Sequence, residues 1–77
     1  MRQGGVMKIA DAEAFGNELR TCRKELGYTQ AYIAELTGFS VSFISDLERG
    51  KKTCEIGKAI EIVNLLGMDL CMEKRSK

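Results

Sequence analysis

A chain of 77 residues has room for one small domain, because domains usually run to about 100–200 residues and a core of this size is marginal alone. Its residues are 44% hydrophobic and 30% charged, with no Pro, Trp or His, which is too apolar for a disordered chain and offers no apolar run long enough for a membrane span. Twelve Lys and Arg against 11 Asp and Glu leave a net charge of +1, so composition announces no polyanionic partner and any such evidence has to be local.

Residues 1–5 hold two glycines and nothing to bury, and read as a loose leader followed by a short extended run, Val6 to Ile9. Asp11 is an N-cap for a first helix in which Ala12, Phe15, Leu19, Cys22 and Leu26 recur at 3, 4, 3, 4 spacing and so share one apolar face. Gly27 closes it. Thr29 caps a helix of barely two turns, Gln30 to about Thr37, which buries Ile33, Ala34 and, at its edge, Leu36 before Gly38 breaks it. Ser40 caps a third helix, Val41 to Arg49, with Ile44 and Leu47 facing inward and Gly50 after it.

Lys51 and Lys52 form a cationic loop, and Thr53 is the expected cap of a fourth helix running to about Leu66, with Gly67 as its stop. With Ile56 at zero, Ile60, Val63, Ala59, Leu66, Ile62 and Leu65 sweep roughly 220° of that helix at about 100° per residue, where an ordinary surface helix needs only about 100°. So wide an arc predicts that the part carrying Ile62 and Leu65 meets a second subunit. Met68, Leu70 and Met72 then alternate with polar positions, the period of a half-buried strand over 68–73. Its partner is the Val6 to Ile9 run, the same strand of another subunit, or both. The dimer interface expected is Ile62, Leu65, Met68, Leu70 and Met72, and residues 74–77 are a basic tail.

Counted as a 20-residue unit, 30–49 places Ile33 at position 4, Ala34 at 5, Gly38 at 9, Ile44 at 15 and Leu47 at 18. That is the spacing of a helix-turn-helix. Ala34 lets two helices cross closely, Gly38 turns the chain within a few residues, and the three large apolar side chains lock the crossing from within. The expected class is an all-α, compact four-helix domain built on that helix-turn-helix, spanning 6–73, with a short C-terminal strand used in dimerisation.

The stretches Leu19-Arg20, Arg23-Lys24, Gly27 to Gln30, Ile33-Ala34, Gly38 to Ser40 and Phe43 to Lys51 resemble the Cro/repressor (XRE) helix-turn-helix family of prokaryotic transcriptional regulators. Phe43 to Lys51, with Gly57 to Ala59 and Leu65 to Leu70, is further similar to the branch of HipB-like antitoxins. The resemblance implies that the third helix enters the major groove of double-stranded DNA with Val41, Ser42, Ser45 and Asp46 toward base edges, and that Gln30 clamps a phosphate. Ser40, Phe43, Arg49, Lys51 and Lys52 complete the expected DNA-binding set, although Phe43 suits packing as well and Asp46 suits a Lys or Arg partner better than a base. No Arg, Gln or Asn stands among 41, 42, 45 and 46, so DNA shape has to contribute to sequence preference. The resemblance also pairs Arg23 with Glu48 as a structural ion pair.

Two functions follow from the resemblance: a repressor acting as a homodimer on an inverted repeat, and, as the alternative, an antitoxin that also binds a kinase-type toxin protein. An enzyme is the third class weighed and the least supported, since a chain without His is too small to enclose a substrate pocket. Cys22, Cys54 and Cys71 are odd in number and widely spaced, and read as reduced thiols of a cytoplasmic protein with no metal, no cofactor and no membrane partner. Cys22 belongs to the first helix's apolar stripe; Cys54 and Cys71 are the more exposed candidates for oxidation.

Overall fold

The computed structural model describes residues 7–75, so the leader and the end of the basic tail lie outside the described residues. Four helices follow one another: α1 (Ala12–Glu25), α2 (Gln30–Thr37), α3 (Val41–Glu48) and α4 (Ile56–Leu65). Three begin on the expected caps, because a short side-chain oxygen just before a helix can accept from an amide with no intrahelical partner. Asp11 accepts from the Ala14 amide at 2.8 Å, Thr29 from Tyr32 at 3.0 Å and Ser40 from Phe43 at 3.0 Å.

The fourth start differs from expectation. Thr53 lies in a turn, and Glu55 occupies the cap position without a side-chain bond to the backbone. Its carboxylate instead meets Lys58 at 3.3 Å, while its carbonyl accepts from Ala59 at 3.1 Å.

Helices α1, α3 and α4 end in one motif, in which the amides of the two residues after the cap fold back onto carbonyls of the last turn. At α3 these bonds are Gly50 to Leu47 at 3.1 Å and Lys51 to Asp46 at 3.0 Å. Gly50 has φ +88°, and a side chain there would also drive into the Glu13 backbone at 2.7 Å. Gly38, at φ +81°, makes the turn of the helix-turn-helix, its amide donating to Ala34 at 2.8 Å. Thr37 steadies that turn by donating to the Ile33 carbonyl at 2.8 Å and accepting from the Phe39 amide at 3.1 Å.

The core joins Leu19 and Cys22 of α1, Ile33 of α2, Ile44 and Leu47 of α3, and Ala59, Ile62, Val63 and Leu66 from α4 and its cap. Ile33 and Ile44, the two residues set either side of the turn, are its most enclosed large side chains. Gly16 is a core contact that apolar periodicity does not flag. A Cβ there would collide with the Leu47 carbonyl oxygen and come within 2.6 Å of that of Glu48, so α1 and the end of α3 meet backbone to backbone.

Three burial expectations change. Leu26 is exposed at the end of α1, and Leu36 at the end of α2. Ile62, expected to face a second subunit, is 3% exposed inside its own core. The buried residues of α4 in fact span only about 100° of its circumference at 100° per residue. Leu65 lies outside that arc on one side, Ile56 and Ile60 on the other.

Among the described residues there is no strand. The segment 68–75 follows α4 in an irregular path, and residues 7–10 are irregular too, so the expected strand has no ladder partner among the described residues. Met68 is half-buried, its Sδ 3.2 Å from the Cys22 thiol, whereas Leu70 and Met72 are exposed. Leu70 lies along a shallow apolar groove with Ile9, Phe15 and Ile56.

Candidate nucleic-acid interface

Helix α3 has a locked back and an open front. Ile44, Leu47 and Glu48 are buried, while Val41 and Ser42 are exposed and Ser45 and Asp46 half-exposed. Ser42, Ser45, Asp46 and Arg49 recur at helical spacing, so they share the outward face.

The lock is a buried carboxylate. Glu48 accepts from Arg23 twice, Nε to Oε2 at 2.6 Å and Nη2 to Oε1 at 2.9 Å, with the two side chains 9% and 6% exposed. The third arginine nitrogen, Nη1, donates to the Tyr28 carbonyl at 2.8 Å, and Gln30 Nε2 donates to Glu48 Oε1 at 3.0 Å. Four segments therefore converge on one charge: α1, the α1–α2 turn, the start of α2 and the end of α3. Burial pushes the Glu48 carboxyl up, but the hydrogen bonds from Arg23 and Gln30 and the charges of Arg23 and Arg20 outweigh it, and its pKa is lowered. The hydrogen bond to Glu48 is the main cause that raises Arg23 in turn.

The front carries a second carboxylate. Asp46 meets Arg49 Nη2 at 2.8 Å and Lys51 Nζ at 3.5 Å, so the carboxylate of the outward face already has cationic partners from its own chain. Ser40 is committed to capping through its hydroxyl. Phe43 is half-buried against Phe39, ring centroids 5.6 Å apart and edge to face, with the Lys58 ammonium 5.4 and 5.5 Å from the two rings. These contacts are those of the packing role that Phe43 also suits. Gln30 keeps its position at the head of α2, but its amide is held by Glu48. Lys52 is exposed beside Lys51.

Sequence reasoning missed Asn17 on the floor of this face. Asn17 and Arg20 of α1 line an open cleft with Gln30, Ser45 and Arg49, into which Glu13 and Glu48 also look. The signal was present as a polar stripe on α1, Glu13, Asn17 and Arg20 at 4, 3 spacing, which reads as solvated until the tertiary structure sets it beside α3. Among the described residues no three His, Cys, Asp or Glu side chains come together as a metal site, and no helix is long and apolar enough to cross a membrane.

Comparison with known proteins agrees with this geometry. A family model described as helix-turn-helix matches residues 19–71. The uncharacterized HTH-type transcriptional regulator y4mF of Sinorhizobium fredii is 38% identical over 63 residues, covering 82% of this chain and 83% of that protein. The uncharacterized HTH-type transcriptional regulator YazB of Bacillus subtilis is 35% identical over 63 residues, covering 78% and 91%. Two solved structures share the fold: a HipB variant in complex with an O2 20mer, TM-score 0.83 at 22% identity, and HipB with an O4 20mer, TM-score 0.82 at 21% identity. They cover 95% and 94% of this chain and the whole of theirs.

Proposed function

The chain belongs to the XRE-type helix-turn-helix family of transcriptional regulators, and from that premise we propose that it binds double-stranded DNA sequence-specifically and represses transcription as a homodimer on an inverted repeat. The observation that carries the reading is α3 itself, locked to α1 behind by Arg23 and Glu48 and unobstructed in front at Val41, Ser42 and Ser45. A rigid rod of that width fits the major groove, with its first turns at the base edges.

Val41 offers only an apolar contact, suited to a thymine methyl, and the two serines are short hydroxyls within reach of a base or a phosphate. Base readout of this kind is sparse, so sequence-dependent DNA shape carries part of the preference. Lys51, Lys52, Arg20 and the head of α2 at Gln30 supply contacts to phosphates, which position the helix without reading sequence.

A two-fold dimer is supported by apolar surface outside the core: Leu65 at 39% exposure, Leu70 at 45% and Met72 at 99%. The alternation of 68, 70 and 72 suits a strand completed by the same segment of a second copy, which would supply the ladder absent among the described residues. In such a dimer the two α3 helices address half-sites about 34–36 Å apart.

Selection of bound duplexes from a random pool tests the reading. The expected result is an inverted repeat whose binding weakens with salt at a log–log slope of about −0.9 per neutralised phosphate. A pool that fails to enrich, or binding indifferent to salt, overturns it. The HipB-like fold motivates the further reading that a kinase-type toxin is a second partner; copurification on co-expression with a neighbouring toxin gene product supports it, and failure to associate leaves a stand-alone repressor.

A further inference from the structure

The outward face of α3 presents a carboxylate where a polyanion is expected to dock, and the contacts of that carboxylate say what it does. Asp46 sits between Ser42 and Arg49 along the face, one turn from each. Its Oδ1 meets Arg49 Nη2 at 2.8 Å and its Oδ2 meets Lys51 Nζ at 3.5 Å. Lys51 lies beyond the end of α3 and reaches back because Gly50 turns the chain at φ +88°, with the Lys51 amide tied to the Asp46 carbonyl at 3.0 Å. The backbone therefore delivers the second cation to the same carboxylate that holds the first.

These pairs are wet. The side chains are 72% exposed for Arg49, 55% for Lys51 and 32% for Asp46, the setting in which an ion pair is weak and open to exchange. A carboxylate with two oxygens, each engaged by a cation, imitates a phosphodiester in charge and in geometry.

Resting on the reading of α3 as the DNA-facing helix, we propose that Asp46 is a positioning residue that competes with DNA phosphate for Arg49 and Lys51 and thereby holds down binding to duplexes of arbitrary sequence. Away from its site, the protein meets phosphates at unsuitable distances, and exchanging Asp46 for one of them gains little. On the site, the α3 contacts hold the duplex in register, and the cations reach phosphate at close range. Asp46 then acts on discrimination rather than on attraction, consistent with a chain whose net charge is only +1. The other use of a carboxylate in the major groove is to accept from the amino group of cytosine, and that use predicts a different outcome.

The test compares wild type with Asp46→Asn, and with Arg49→Gln/Lys51→Gln in both backgrounds, on the selected duplex and on a duplex of scrambled sequence between about 50 and 200 mM salt. Competition predicts that Asp46→Asn tightens binding to the scrambled duplex by about two- to fivefold. It also predicts that the salt slope steepens by up to about 0.9, and that neither change occurs when Arg49 and Lys51 are already gone. Thermal melting of each variant checks that the fold survives. Weaker binding confined to duplexes with cytosine at one position, at unchanged slope, overturns the proposal in favour of base readout. Unchanged binding of Asp46→Asn to both duplexes overturns it as well. A wild-type chain that binds no duplex at all overturns the reading of function beneath it, and the proposal falls with that reading.

Discussion

Two carboxylates on one short helix hold arginines in opposite surroundings. Glu48 faces backward into α1, where its partner's side chain is 9% exposed; Asp46 faces the solvent, where its partner's is 72% exposed. Two residues apart, they point about 200° away from each other. The chemistry is alike, but its consequence is set by water. Behind the helix, desolvation makes each charge depend on the other and the pair holds α3 rigidly to its scaffold. In front, solvent screens the attraction and the pair can be traded for an outside anion.

The strongest way to break this contrast is to strand one buried charge. Arg23→Met and Glu48→Gln are each expected to destabilise the fold by about 3–5 kcal/mol, read from urea unfolding midpoints, and if both variants melt with the wild type the back of α3 is not locked in this way. The pH profile gives a second, smaller effect. Because the Glu48 carboxyl is lower in the folded protein than the ordinary 4.5, the folded state binds fewer protons than the unfolded one. That stability is fully present above 4.5 and is lost as pH falls through the lower folded value. Acid titration should thus weaken the wild type more steeply than Glu48→Gln, and parallel acid limbs would contradict it. The front pair should barely register: Arg49→Gln is expected to cost no more than about 1 kcal/mol in the same urea assay, and a loss as large as that of Arg23→Met would erase the distinction between the two faces.

Most of the scaffold was legible because it is locally encoded. Asp11, Thr29 and Ser40 mark helix starts through their own backbone neighbours, and Gly38 and Gly50 mark ends that need a left-handed residue. Glu55 shows where such reading fails: Thr53 is the better cap by residue type, but the turn at 52–54 places the helix start two residues later. The arc on α4 misled for a similar reason. Only about 100° of it is buried, and which part faces the core depends on where α1 and α3 lie: Ile62 proved to be inside while Ile56 stayed out. The site was legible as a set of residues and not as a set of partners. Nothing in the spacing of Gln30 and Glu48 says that they meet, nor in that of Asn17 and Ser45 that they line one cleft.

By itself the sequence determined four helices, the caps of the first three, the turn at Gly38 and the family, all properties written within a few residues of one another or in a fixed spacing along 30–49. Only the tertiary structure decided that Gly16 brings α1 against the α3 backbone, that Gln30 joins the buried ion pair, and that Asp46 holds Lys51. The reason is reach: a cap or a turn is satisfied by its own neighbours, whereas these contacts exist only after the helices have packed and burial has sorted which charges remain in water.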